Sequence, residues 1–128
     1  MIQKRILRPD RIRRIERGFS FIPHRFLTDG FLAALTQTEL LLYFFLVLVS
    51  DRLGLSFYSY DAICSLLGIS LDQYIEARNC LMDKDLLAFD GTIFQVLDLA
   101  SKPPAASLPQ RKGQHDISRL IEHVLKQA

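Results

Sequence analysis

The sequence predicts a small α+β domain that is mainly helical, and three observations predict it. An S/T-x-x-E motif at Thr36 precedes a long apolar run, which is typical of a buried helix. Two further segments begin with the capping residues Ser59 and Ser70. The pair Asp90-Gly91 then separates two strand-like runs, which indicates a β-hairpin. With 128 residues, of which 49% are hydrophobic, the chain can bury a core without disulfides or metal ions.

A basic N-terminal arm is predicted over residues 1–18. Pro9 and Asp10 favour a short helical turn over residues 10–17, which Gly18 can end. A domain over residues 19–100 follows, and its first segment is rich in apolar side chains. We expect them to enter the core: Phe19, Phe21, Ile22, Phe26, Leu27, Phe31 and Leu32.

The first long helix is predicted to begin after Thr36 and to end near Ser50. Thr36 and Glu39 have the spacing of a capping box, in which each side chain accepts the backbone N–H of the other residue. The helix is apolar almost all round, which predicts a central position. We therefore expect its three consecutive rings to lie in the core: Tyr43, Phe44 and Phe45.

Shorter elements follow this helix. A strand is predicted at residues 55–58 and a second helix at residues 60–67, which Gly68 ends. The third helix is predicted over residues 70–84, with Gln73 in the capping-box position.

The hairpin and the C-terminal segment complete the predicted elements. We expect a two-residue turn at Asp90-Gly91 with positive φ at both residues, between strand-like residues 86–89 and 92–97. Residues 101–114, which contain three prolines, predict a linker. Residues 115–128 predict an amphipathic helix, because their apolar positions follow helical spacing: Ile117, Leu120, Ile121, Val124 and Leu125.

The order helix, strand, helix, tight turn, helix and hairpin over residues 31–99 resembles the winged helix, a helix-turn-helix with a β-hairpin wing. Its tight turn is Leu67-Gly68-Ile69-Ser70. The chain also resembles the N-terminal domains of plasmid replication initiators and phage replisome organisers, and small helix-turn-helix proteins of bacterial mobile elements. This narrower resemblance lies in Phe21-x-Pro23, Leu35-Thr36-x-x-Glu39-x-x-x-Tyr43-x-x-Leu46, Gly54-x-Ser56 and Ser59. It implies DNA binding in replication or transcription, with the third helix in the major groove.

The charge of the chain is unevenly distributed. Residues 1–28 carry eight basic and two acidic side chains, residues 29–100 carry three and ten, and residues 101–128 carry five and two. DNA affinity depends mainly on neutralising phosphates, so the N-terminal part is the predicted DNA contact, on the backbone or in a minor groove. Its candidate residues are Lys4, Arg5, Arg8, Arg11, Arg13, Arg14, Arg17 and Arg25.

The third helix differs from the usual groove-reading helix. At about 100° per residue, one face is predicted to hold Leu71, Tyr74, Ile75, Leu81 and Met82. Arg78 falls within this apolar face, where we expect an ion pair or snorkelling. The opposite face carries two amides that can pair with adenine, and three carboxylates that repel phosphates: Gln73, Asn79, Asp72, Glu76 and Asp83.

No catalytic, metal or cofactor site is recognisable in the sequence. Cys64 and Cys80 form no C-x-x-C pair, and the histidines His24, His115 and His123 lie in separate segments. The longest apolar run is about half of the roughly 20 residues that a membrane-spanning helix needs, and we find no secretory signal. We therefore expect a non-enzymatic, cytoplasmic protein with no cofactor and no membrane partner.

Two functions stay open. In the first, a winged-helix protein grips DNA mainly through its N-terminal arginines. In the alternative, it is a protein–protein adaptor that docks a basic partner on the acidic third-helix face of Asp72, Glu76 and Asp83. The C-terminal helix either packs on its own domain or supplies a dimer or partner contact, with a membrane surface disfavoured.

Overall fold

A computed structural model of the chain describes residues 2–15 and 17–101. Within them lie four α-helices and one three-stranded antiparallel sheet, which confirms the predicted α+β class. The helices are α1 (Arg25–Thr28), α2 (Gln37–Val49), α3 (Tyr60–Leu67) and α4 (Leu71–Asp83), and the strands are β1 (Leu55–Ser56), β2 (Leu87–Phe89) and β3 (Phe94–Val96). The predicted C-terminal helix lies outside the described residues. No helix within the described part is long and apolar enough to cross a membrane.

The predicted N-caps are present at all three long helices. The hydroxyls of Thr36, Ser59 and Ser70 each accept a backbone N–H of the first helical turn. At α4 the box is complete, because the Gln73 side chain also accepts the backbone N–H of Ser70 at 2.8 Å. At α3 the predicted end is also found, with Gly68 at φ +67°.

The capping box at α2 is only half formed, because the Glu39 carboxylate is used elsewhere. Its Oε2 accepts the Thr36 hydroxyl at 3.0 Å, and its Oε1 accepts the Lys84 ammonium at 2.6 Å. Lys84 also donates to the carbonyl oxygen of Ala34 at 2.7 Å. The two charged residues are buried, so this contact joins the start of α2 to the end of α4 inside the core.

The sheet has the strand order β1-β3-β2, and β3 pairs with both neighbours. Gly54 stands just before β1 at φ +85°, where a Cβ would lie 2.5 Å from the carbonyl oxygen of Val96. Its own carbonyl accepts the Val96 N–H at 2.8 Å. Gly54 therefore permits the close approach that closes β1 onto β3.

The predicted hairpin joins β2 to β3, but its turn differs from the predicted one. The last strand pair is Phe89 with Phe94, whose rings stack with centroids 4.4 Å apart, so the loop comprises residues 90–93. Gly91 has φ +101°, whereas Asp90 does not have a positive φ. The Asp90 carboxylate instead accepts the backbone N–H groups of Thr92 and Ile93 at 2.8 and 2.7 Å. The two-residue turn was wrong because this side chain organises a longer loop.

The core lies between α2, α4 and the sheet. Its fully buried side chains include Phe31, Leu42, Leu46, Ile63, Leu81, Leu86 and Phe94. Of the three rings of α2 that were predicted to lie in the core, Tyr43 and Phe45 are buried, whereas Phe44 is 53% exposed, so the prediction is wrong for Phe44. The prediction that the N-terminal rings enter the core is confirmed for Phe26 and Phe31, which are buried. It is wrong for Phe19 and Phe21, which lie mostly in solvent.

Candidate functional site

The basic arm is exposed along its described length. Residues 2–15 and Arg17 are all solvent-accessible, and the regular element among them is a 3₁₀ turn at Pro9–Arg11. Arg8 forms an ion pair with Asp10 at 2.9 Å, with both side chains largely in water. Such an exposed pair contributes little stability, so it does not compete strongly with a phosphate for Arg8.

Most arginines of the arm have no acidic partner among the described residues. This holds for Arg5, Arg11, Arg13, Arg14 and Arg17. Exposed guanidinium groups at separate positions of the arm can each reach a separate phosphate, and their forked donors fit phosphate oxygens. The arm therefore presents an array of hydrogen-bond donors that can contact phosphates. Lys4 and Arg8 belong to the same array.

Arg25 is placed apart from this array. Its guanidinium binds the Asp29 carboxylate at 2.8 Å and donates to the Ala100 carbonyl oxygen at 2.6 Å. It also lies 5.9 Å from the centroid of the Phe31 ring. These contacts link α1 to the end of the described chain, and the Arg25 side chain stays partly exposed.

Helix α4 turns an acidic face outward. Tyr74, Ala77 and Leu81 point to the core, and the opposite side exposes the predicted polar set of Asp72, Glu76, Asn79 and Asp83. The carbonyl oxygen of the Gln73 side chain is engaged in the helix cap. Asn79 uses its side-chain oxygen to accept from Arg78 at 3.2 and 3.3 Å. Neither amide is thus fully free to read a base.

Arg78 lies against two aromatic rings. Its guanidinium carbon is 5.4 Å from the Tyr74 centroid and 5.1 Å from that of Phe89, within the range of cation–π attraction. Among the described residues it has no carboxylate partner, so of the two predicted outcomes, an ion pair or snorkelling, the ion pair is not formed. The rings stabilise the half-buried cation and join α4 to the hairpin.

Leu71 and Ile75 are not in the core, contrary to the prediction from the helical projection. They are 47% and 36% exposed and line an open groove. The groove lies between α4 and the hairpin and has a volume of about 820 Å³. We call it the α4 groove, and it is lined by Phe57, Tyr58, Tyr60, Leu71, Ile75 and Thr92 among others.

Acidic side chains outnumber basic ones in the segment that contains the α4 groove. Residues 57–93 hold six acidic residues and two basic ones, and one of the two bases is the buried Lys84. Backbone N–H groups of Ile93 and Thr92 hold the pKa of Asp90 below its ordinary value, so the hairpin loop carries a full negative charge. The α4 groove was not predicted from the sequence, although the aromatic cluster Phe57-Tyr58-x-Tyr60 indicates it.

The described residues do not bring the remaining candidates together into a reactive site. No group of three or more His, Cys, Asp or Glu residues within them is placed to hold a metal ion. Cys80 is half-buried, and burial and the charge of Glu39 raise the pKa of its thiol, which makes it a poor nucleophile. The predicted partner residues Ile117, Leu120, Ile121, Val124 and Leu125 lie outside the described residues.

Comparisons with known proteins do not add to these contacts. No protein-family model matches the chain, and no match was found among curated proteins or solved structures.

Proposed function

We propose that the chain is a winged helix-turn-helix protein that binds DNA through its N-terminal arm. The order of α2, β1, α3, α4, β2 and β3, together with the strand order β1-β3-β2, supports the winged-helix assignment. So does the short turn at Gly68 between α3 and α4, where the left-handed conformation reverses the chain. In this proposal α4 is the third helix and the β2–β3 hairpin is the wing.

The observation that carries the proposal is the exposed array of arm arginines. Arg5, Arg11, Arg13, Arg14 and Arg17 are exposed and have no acidic partner among the described residues. Duplex DNA carries one charge per roughly 1.7 Å of its axis, so a short basic arm meets several phosphates. Releasing their counterions drives binding without any base contact.

The arm, and not α4, makes the main contact in this mechanism. Asp72, Glu76 and Asp83 would lie against phosphates if α4 entered a major groove, and this repulsion opposes docking. The arm instead follows the backbone or enters a minor groove, whose narrow A·T tracts attract arginine. The acidic body is held away from the duplex.

Fluorescence anisotropy with a labelled duplex tests the proposal. The variant with alanine at Arg11, Arg13, Arg14 and Arg17 is expected to bind at least tenfold more weakly. Its slope of log affinity against log salt should be smaller by up to about 3.6, since each phosphate contact contributes roughly 0.9.

Replacing the same four arginines by lysine should keep most of the affinity, because the charge is retained. Equal binding by the wild type and the alanine variant, with the same salt slope, would contradict the proposal.

A second function, that of a protein–protein adaptor, is favoured by the α4 groove. Phe57 and Tyr60 are 70% and 51% exposed there, and Asp72 and Glu76 stand on the neighbouring helix face. Apolar rings beside carboxylates suit an amphipathic partner segment that carries lysine or arginine. This adaptor role does not require the arm.

A synthetic amphipathic peptide of leucine and lysine serves as the probe for the adaptor role, with isothermal titration as the measurement. Binding should weaken at least tenfold in the Asp72→Lys/Glu76→Lys variant and in Tyr60→Ala. A leucine and glutamate peptide should not bind. Unchanged binding of the lysine peptide to both variants would exclude the α4 groove as its site.

A further inference from the structure

Helix α2 presents an apolar stripe to solvent on the side opposite its core face. Leu41, Phe44 and Leu48 lie on this stripe and are 40%, 53% and 58% exposed. Their i, i+3, i+7 spacing is that of a seam along which two helices pack. The long apolar run of α2 thus serves two surfaces, one toward the core and one toward solvent.

The stripe continues into a cavity of about 730 Å³ at the carboxyl end of α2. Leu48 lines this cavity together with Phe19, Phe21 and Leu53, which are 66%, 72% and 68% exposed. The Ser20 hydroxyl donates to the Leu48 carbonyl oxygen at 3.1 Å and so ties the segment to the helix. We call the stripe and the cavity together the α2 face.

The α2 face has the apolar area of a homodimer interface. If a fully exposed ring offers about 200 Å² and a leucine somewhat less, its six large side chains expose roughly 600 Å². A standard interface buries about 800 Å² on each partner, of which about 65% is apolar in homodimers. The largest apolar patch on a typical monomer is about 300–600 Å² and is often functional, so the α2 face lies at the upper end of this range.

We propose that the α2 face binds the α2 face of a second copy of this chain. Charges favour this occupant, because the charged side chains lining the cavity are of both signs: Asp51, Arg52 and Asp98. Two such faces meet without strong like-charge repulsion. A partner of high net charge gains no electrostatic attraction at the α2 face. The acidic face of α4, by contrast, would repel the same face of a second copy.

The dimer deepens the proposed DNA-binding function, and this consequence rests on it. Phe19 and Phe21 follow the arm directly, so a contact through them places the two arms beside one interface. Two arms on one duplex raise the apparent affinity through a high effective concentration, without any new contact.

Sedimentation velocity of the full chain over a range of concentrations tests the proposal. We expect a dimer for the wild type and a dissociation constant at least tenfold higher for Phe44→Glu and for Leu48→Gln. Phe57→Glu is the matched control, since Phe57 is a more exposed ring outside the α2 face, and it should remain dimeric. Far-UV circular dichroism establishes that each variant is folded.

A monomeric wild type at all concentrations would overturn the proposal, as would a dimer that Phe44→Glu and Leu48→Gln leave unchanged. If the wild type is monomeric and a Leu120→Ser/Leu125→Ser variant of the full chain dimerises, the chain's own C-terminal segment is the occupant. Arm variants that keep the full DNA affinity while the chain still dimerises would refute only the proposed function.

Discussion

The Lys84 ammonium and the Glu39 carboxylate lie 2.6 Å apart inside the core, 45 residues from each other in sequence. The pair links the C-cap of α4 to the first turn of α2, and the Ala34 carbonyl and the Thr36 hydroxyl complete its hydrogen bonds. A buried charge is tolerated only when it is paired in this way. The pair therefore specifies how the two longest described helices meet.

Replacing Lys84 by methionine is expected to lower the free energy of unfolding by about 3–5 kcal/mol, because it leaves the Glu39 carboxylate buried without its cation. The double variant Lys84→Met/Glu39→Leu should lose less than this single variant, since no charge is left in the core. Urea denaturation measures both. A double variant less stable than Lys84→Met would contradict the assignment of the loss to an unpaired charge.

Gly54 and Gly30 allow the cost of backbone strain and the cost of a steric clash to be measured separately. Their φ angles are nearly equal at +85° and +87°, but a Cβ would meet a neighbouring atom only at Gly54. Gly30→Ala should cost about 1–2 kcal/mol from the left-handed backbone alone. Gly54→Ala should cost clearly more, roughly 3 kcal/mol or more, because its Cβ also meets a backbone oxygen and overpacking adds to the strain. Thermal or urea unfolding provides the comparison, and equal losses would exclude the close approach to Val96 as a constraint.

Asp90 is expected to stabilise the hairpin loop in a pH-dependent way. Its folded pKa lies below the ordinary value of about 3.8, so its stabilising contribution is fully present above that value. The contribution is lost as the pH falls through the folded pKa. The stability difference between the wild type and Asp90→Ala should therefore shrink between pH 5 and pH 2.

Asp90→Asn is the control for this experiment. Its amide oxygen can still accept both backbone N–H groups but does not titrate, so its stability relative to Asp90→Ala should not vary with pH. A difference between the wild type and Asp90→Ala that stays constant from neutral to acid pH would contradict the role of the carboxylate.

Arg78→Ala is expected to destabilise the fold by roughly 1–2 kcal/mol, since it removes a cation from two ring faces and some apolar packing. Arg78→Lys should lose less, because the ammonium retains part of the cation–π attraction. Arg52→Ala, at an exposed turn position, serves as the control and should lie within about 0.5 kcal/mol of the wild type. Equal losses for Arg78→Ala and Arg52→Ala in urea would show that the rings do not hold the guanidinium.

Much of the fold was predictable because its signals are local. Ser70 and Gln73 cap α4 within one helical turn, and no distant charged group competes for them as Lys84 does for Glu39 at α2. Gly68 ends α3 for the same reason, since its left-handed conformation needs no tertiary contact. The exposed arm was equally predictable, because a segment dense in arginine cannot be buried without partners.

The candidate surfaces were less predictable. Leu71 and Ile75 line the α4 groove and do not lie in the core, because a helical projection gives only the direction of a side chain, not what lies opposite it. For Arg78 the sequence predicted an ion pair or snorkelling, and not contacts with aromatic rings. Its ring partner Phe89 belongs to another element, whose position depends on the whole sheet.

The sequence by itself determined the identity and order of the elements, their caps and the segregation of positive charge into the arm, because each depends on neighbours within a few residues. Tertiary structure alone decided that Glu39 pairs with Lys84, that the hairpin loop is longer than its Asp-Gly signal, and that Phe44 faces solvent. The physical reason is that hydrophobicity drives side chains out of water without specifying a partner. Which apolar or charged groups are finally covered depends on how distant elements fit against one another.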